Sequence, residues 1–236
     1  MNKKVFRHEF KYFINYFEYE ILRRRLKLVL KNDKFANENG DYHIRSLYFD
    51  DVHNTALFEK QAGTLIRKKY RIRIYNLEDS VIKLEKKARK GQFIHKTSAS
   101  ITRDEYEKII CNDIKFMRDS SNPLLNEFYF DIIAFKYKPN VIVDYIREAY
   151  ISDINNIRIT FDKSLKTGLN SLDIFGKDIP TIDVIEEPKM ILEIKYDHFL
   201  PTYLRNLLQI SSSQRWAISK FVMCKKFTKL NNWEDN

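Results

Sequence analysis

Residues 66–75 read IRKKYRIRIY, and their alternation decides how the rest of the chain is read. Successive side chains of a strand point to opposite faces, so Lys69, Arg71 and Arg73 share one face while Tyr70, Ile72 and Ile74 share the other. The same division recurs outward from this segment. Lys83, Glu85 and Lys87 oppose Ile82 and Leu84, and Glu193 and Lys195 oppose Met190, Leu192 and Ile194. Near the start, Arg7, Glu9 and Lys11 alternate with Phe6, His8, Phe10 and Tyr12, and further on Tyr145 and Arg147 share a parity. A merely solvated face would use Ser, Thr, Gln and Asn freely. These faces instead repeat Lys or Arg two residues apart. Two such cations about 6 Å apart repel by roughly 3 kcal/mol at an effective dielectric near 20, so the pattern asks for a polyanion as its counterweight.

Period-two alternation predicts strands over 5–14, 43–50, 66–75, 80–87, 92–99, 140–150, 156–162 and 189–196. Apolar spacing of three and four predicts helices over 17–31, 102–111, 122–135, 202–209 and 215–227. Thr102 with Glu105 has the form of a capping box. Residues 163–181 carry Gly168, Gly176 and Pro180 without clear periodicity and read as a loop or hairpin. The class is α+β. Eight strands suffice for a closed antiparallel β-barrel with its charged face inward and amphipathic helices covering the apolar outside. With no evident linker, residues 1–236 are expected to form a single domain.

The chain carries 42 Lys plus Arg against 32 Asp plus Glu, a formal charge of +10 that favours an anionic partner. Its 44% hydrophobic content is that of a globular protein rather than a disordered basic tail. Five glycines leave little room for glycine-rich nucleotide loops. Cys111 and Cys224 are isolated, which fits a reducing cytoplasm, and no window approaches eighteen uncharged apolar residues. The five histidines form no pair at metal-ligand spacing. On the charged faces Glu9, Glu85 and Glu193 are the acidic groups, and carboxylate oxygen suits Mg²⁺ or Mn²⁺.

The motifs, in order, are RHEFKY at 7–12, SLYFD at 46–50, YRIRIY at 70–75, KLEKK at 83–87, Lys96, Tyr145-x-Arg147, RITFD at 158–162, LEIKYD at 192–197 and SKF at 219–221. Together they resemble the VTC domain of polyphosphate polymerases, within the CYTH or triphosphate tunnel metalloenzyme superfamily. The likeness is to its stand-alone bacterial type. The resemblance implies a tunnel in which Lys11, Arg71, Arg73, Lys87, Lys96, Arg147, Arg158 and Lys220 bind a triphosphate and the growing polymer. Arg71, Arg73, Arg147 and Arg158 would hold the triphosphate of ATP. It also implies Tyr145 as a donor to phosphate oxygen, Lys195 as a further lining residue, and Glu193 as the metal glutamate, with Glu9 and Glu85 as secondary metal or water-orienting groups. Where the superfamily opens with Glu-x-Glu-x-Lys, this chain has Arg7-x-Glu9-x-Lys11, which points away from two-metal hydrolases and towards the polymerase branch.

The implied activity is transfer of the γ-phosphoryl group of ATP to polyphosphate with Mn²⁺ or Mg²⁺. The partners are ATP and polyphosphate or pyrophosphate, without nucleic acid or a membrane segment. A triphosphatase of the same fold and a non-catalytic module binding polyphosphate or RNA are the alternatives.

Overall fold

The computed structural model describes residues 7–91, 93–169, 171–186, 188–209 and 214–230, with side chains to Thr228. In chain order the strands are β1 (Arg7–Ile14), β2 (Lys31–Asn32), β3 (Asp41–Asp50), β4 (Ile66–Tyr75), β5 (Glu78–Lys90) and β6 (Phe93–Ile101). They continue with β7 (Lys138–Ser152), β8 (Ile157–Gly168), β9 (Thr181–Asp183) and β10 (Met190–Asp197). The helices are α1 (Tyr16–Lys27), α2 (Thr55–Gln61), α3 (Arg103–Ile110), α4 (Lys115–Arg118), α5 (Pro123–Phe135), α6 (Thr202–Leu207) and α7 (Lys220–Leu230). Positions 5, 6 and 92 of the expected strands lie outside the described residues.

The chain divides into two compact units. The first comprises Met1–His43, Tyr145–Leu165 and Ile185–Ser219, the second Ile44–Asp144, Lys166–Val184 and Lys220–Asn236. In the first, β10 pairs antiparallel with both β1 and β8. Its apolar face buries Ile159, Phe161, Leu192 and Ile194 against Tyr19, Leu22 and Leu26 of α1 and Leu204 of α6. Helix α1 forms because those apolar residues recur at helical spacing and because Asn15 and Glu18 close a capping box. It ends at Lys27 rather than at 31, since Lys31 and Asn32 extend as β2 to pair with Ile151 and Tyr150 of β7.

In the second unit β4 pairs with β3 and β5, and β5 with β6, all antiparallel. Tyr70, Ile72, Ile74, Ile82 and Leu84 pack against Tyr106 and Ile109 of α3, Met117 of α4 and Leu125, Phe128 and Ile132 of α5. The capping box of Thr102 and Glu105 starts α3, and Asn122 with Pro123 starts α5. Residues 163–181 resolve as a hairpin, with β9 pairing back onto Lys166–Gly168 of β8. A side chain at Gly168 would bring its Cβ within 2.9 Å of Ile142, so only glycine lets β8 lie this close.

Two expectations are corrected. Among the described residues the sheet has ten strands, not eight, and it is not closed into a barrel. Its hydrogen-bonded order is the open path β1-β10-β8-β7-β3-β4-β5-β6, with β2 and β9 attached beside it. Part of the reason lies at β1, where a segment expected to be helical takes up backbone bonding. Arg215 bridges Tyr12, and the Trp216 N–H donates to the Lys11 carbonyl at 3.0 Å. The last helix therefore begins at Lys220 rather than at 215.

Polar bolts fix helices to sheets in both units. Glu148, fully buried, accepts from Tyr19 and Tyr150 at 2.5 Å each and from Arg23 at 2.9 Å, tying β7 to α1. Asp131 of α5 accepts from Tyr70 at 2.5 Å and Lys68 at 2.6 Å of β4. Removing one partner of such a buried network leaves the others unsatisfied. Glu148→Ala is therefore expected to lower stability by about 3 kcal/mol, read as an earlier urea midpoint with unchanged slope; an unshifted midpoint would show that α1 docks by apolar contact alone.

Candidate functional site

In the first unit the face opposite the core carries charges of alternating sign. Antiparallel register sets Lys11 opposite Glu193 and Glu9 opposite Lys195, while Glu193 and Lys195 face Thr160 and Arg158 of β8. Opposite charges in facing positions support a sheet. Glu193 is 3% exposed and gathers three cations. Its Oε1 lies 2.9 Å from Lys195 Nζ and 3.6 Å from Lys11 Nζ, and its Oε2 lies 3.6 Å from Arg147 Nη2. Lys11 also meets Glu9 at 3.0 Å and donates to the Ile218 carbonyl at 3.2 Å.

These contacts set the protonation states. Burial disfavours the Lys11 ammonium, but Glu193 and Glu9 outweigh it and hold the group above the usual lysine range. Lys195 has the same burial against a weaker balance, because Arg147 works against the pull of Glu193 and Glu9. Its pKa falls to about 8. Arg147 is buried at a cost that Asp162 repays, through bonds of 2.6 and 2.8 Å, so the guanidinium stays charged. Its guanidinium carbon stands 5.3 Å from the centre of the Tyr145 ring, and Tyr145 itself is buried. Arg158 turns to Asp33 at 2.5 Å and to the Tyr42 hydroxyl at 2.8 Å.

The second unit presents a different balance. Register aligns Lys69, Lys87 and Lys96 in one row across β4, β5 and β6. The adjacent rows join Tyr48, Arg71, Glu85 and Ser98, and Ser46, Arg73, Lys83 and Ser100. Like charges in directly facing positions destabilise a sheet, and Glu85 is the one carboxylate in these three rows. It is buried, with Arg71 at 2.5 Å and Lys96 at 2.5 Å. Burial would raise its pKa, but Arg71, Arg73 and Lys96 hold the carboxyl far below the usual carboxylate range. Arg73 donates to Ser46 at 3.2 Å. Lys220 opens α7, followed by Phe221, which packs on Tyr48.

The sequence-predicted residues thus assemble as Glu9, Lys11, Tyr145, Arg147, Arg158, Glu193 and Lys195 in one unit and Arg71, Arg73, Glu85, Lys87, Lys96 and Lys220 in the other. The expectation that Glu9, Glu85 and Glu193 are the sole acids on these faces is corrected by Asp162, which shares the face of Glu193. The spacing of RITFD holds the signal, since Arg158, Thr160 and Asp162 are two apart. Thr160 was also missed: its hydroxyl is buried beside Glu193 without a partner among the described residues.

A metal ion would find oxygen donors but no ready cage. Among the described residues no group of three or more His, Cys, Asp or Glu is placed to hold one. Glu193 fits a hard divalent cation that keeps waters and shares phosphate oxygens, which is the usual habit of Mg²⁺. Glu85 is committed to Arg71 and Lys96 and fits that role poorly.

One comparison with known proteins identifies the family. A model of the VTC domain matches residues 6–229. The chain belongs to the VTC-domain family. Among solved structures, this VTC domain is similar to a proposed adenylate cyclase from Vibrio parahaemolyticus at 13% identity and a TM-score of 0.53, covering 92% of this chain and 97% of that one. A looser likeness, with TM-score 0.47 and 15% identity over 85% and 83% of the two chains, is to a proposed adenylyl cyclase from Hippeastrum with a dominant triphosphatase activity. No curated protein matches the sequence. The VTC domain shares its α+β fold on an antiparallel sheet with that proposed cyclase from Vibrio parahaemolyticus. No helix of the described residues is long and apolar enough to cross a membrane.

The low pKa of Lys195 has a definite sign in stability. Between about 8 and the ordinary 10.5 the unfolded chain holds a proton that the folded protein has released, so stability rises with pH across that window. Measured against Lys195→Met by urea denaturation, the wild type is expected to gain stability from about pH 7 to about pH 10. A flat or falling difference would contradict the assigned burial of this ammonium.

Proposed function

We propose that this VTC domain is a polyphosphate polymerase that uses ATP and Mg²⁺ or Mn²⁺. The observation that carries the reading is the row of Lys69, Lys87 and Lys96 flanked by Arg71 and Arg73, with Glu85 as the one carboxylate among them. Such an excess of cations on facing strands is relieved by a ligand carrying many negative charges along its length, as a phosphate chain does.

An oxygen of the terminal phosphate of the acceptor chain would attack the γ-phosphorus of ATP. The bond between that phosphorus and the β–γ bridging oxygen breaks, and ADP leaves with the electron pair. The nucleophile is already anionic, so no general base is required. What the protein supplies is alignment and charge neutralisation. Arg71, Arg73, Arg147 and Arg158 grip phosphate oxygens with their planar forks, and Lys11, Lys87, Lys96, Lys195 and Lys220 act as point charges. Tyr145 donates to a phosphate oxygen. Glu193, assisted by Glu9, would hold the metal, which would supply charge neutralisation for the phosphates. Ligand arrival draws Lys11, Lys195 and Arg147 from Glu193 towards phosphate, which frees the carboxylate for that role.

Incubation with ATP and Mn²⁺, followed by gel electrophoresis, is expected to yield a ladder of long phosphate chains with ADP released in step. Free phosphate without polymer would overturn polymerisation in favour of hydrolysis. Glu193→Gln is expected to lower turnover on the order of a hundredfold or more while tripolyphosphate binding persists. Unchanged turnover in this variant would exclude Glu193 as the metal's ligand.

A further inference from the structure

Tyr48, in the SLYFD segment of β3, is not among the residues that the sequence pattern assigns to phosphate. Register nevertheless places it directly opposite Arg71, on the cation-rich face of the second unit. It is 5% exposed, and its ring packs against Phe221 with centroids 5.0 Å apart. Two cations attend that ring: Lys69 Nζ stands 5.6 Å from its centre, and so does the guanidinium carbon of Arg71. Arg71 Nη1 donates to the Tyr48 hydroxyl at 2.7 Å, while Arg71 Nε donates to Glu85 at 2.6 Å. The phenol therefore spends its acceptor on Arg71. Its own proton goes to no acceptor among the described residues. A donor buried among Lys69, Arg71 and Arg73 has an anion as its natural complement.

We propose that Tyr48 contacts phosphate directly, its hydroxyl oriented by Arg71 so that the free proton is donated to a phosphoryl oxygen of a bound triphosphate chain. The inference rests on the polyphosphate reading above and deepens it by adding a residue that senses the charge state of the site. Burial alone would raise the phenol's pKa, but Arg71, Lys69 and Arg73 outweigh it and bring the group down to about 7. The other charges near it are Glu85 on β5, held by Arg71, Lys220, next to Phe221 on α7, and Asp50 two residues along β3, which accepts from the Ala56 and Leu57 N–H groups. Arg45 and Asp144 pair with each other at 2.6 Å, and Arg45 lies at the alternate parity of β3. A phenolate cannot donate and repels phosphate. A bound phosphate chain adds negative charge to the same cations and so drives the hydroxyl back to its neutral form. Binding above about pH 7 thus takes up a proton, and wild-type affinity falls as pH rises.

The test uses the whole chain, inorganic tripolyphosphate and Tyr48→Phe, which keeps the ring on Phe221 and removes only the hydroxyl. Calorimetric titration at about pH 6 is expected to show Tyr48→Phe binding roughly tenfold more weakly than wild type, as the loss of one hydrogen bond to a charged group implies. The ratio of the two affinities cancels the titration of the ligand itself, and it is expected to fall with rising pH, passing one at about pH 8 and dropping below one by about pH 9. In parallel, tripolyphosphate added at about pH 8 should diminish the tyrosinate absorption of wild type and leave Tyr48→Phe unchanged. Equal affinities at the lower pH, or a ratio indifferent to pH, would overturn the role of Tyr48 while leaving the polyphosphate reading standing. Failure of wild type to bind tripolyphosphate at any pH would overturn both.

Discussion

Like charges facing one another across neighbouring strands are the constraint on which this structure depends. Lys69, Lys87 and Lys96 form a row that a sheet would ordinarily avoid, and the reverse side of the same strands holds it in place. Tyr70, Ile72 and Leu84 are fully buried against α3, α4 and α5, and burying each large apolar side chain contributes about 1.5–3 kcal/mol. One face of each strand thus supplies the stability that the other expends. A binding surface built this way is preorganised, since its cations are fixed by backbone register rather than by the ligand.

The two units strike this balance differently. In the first, Lys11, Lys195, Arg147 and Arg158 lie beside Glu9, Glu193, Asp162 and Asp33, so that each of these cations has a carboxylate partner. In the second, Glu85 stands among several cations and its own proton affinity is suppressed by them. A matched set suits the exchange of partners that accompanies metal and substrate binding. An unmatched set suits tenacious capture of an anion.

Much of this was legible in the sequence because period-two alternation is a local property. The strand expected at 66–75 coincides with β4, and the capping box at Thr102 and Glu105 starts α3 as its spacing implied. What failed depends on pairing between distant segments. Nothing in the alternation of RHEFKY reveals that Arg215 and Trp216 will bond to β1, so both the closed barrel and a helix starting at 215 were natural misreadings. Helix α2 was missed because Asn54 precedes it in a left-handed conformation without a side-chain cap, and the carboxylates that accept from its first N–H groups, Asp50 and Asp51, lie outside the ordinary capping position. In the site, parity within RITFD could have exposed Asp162 and Thr160. The significance of Tyr48 needed the β3–β4 register, and the capture of Arg158 by Asp33 joins segments 125 residues apart, beyond any local pattern.

The central claim is that these charged faces are built for a phosphate chain rather than for anions in general. Thermal denaturation in increasing tripolyphosphate, against sulfate at matched ionic strength, tests it most directly. A ligand bound only by the folded state at a hundred times its Kd stabilises by about 2.7 kcal/mol. The account predicts a midpoint that climbs with tripolyphosphate well beyond the sulfate control, and identical curves for the two anions would contradict it.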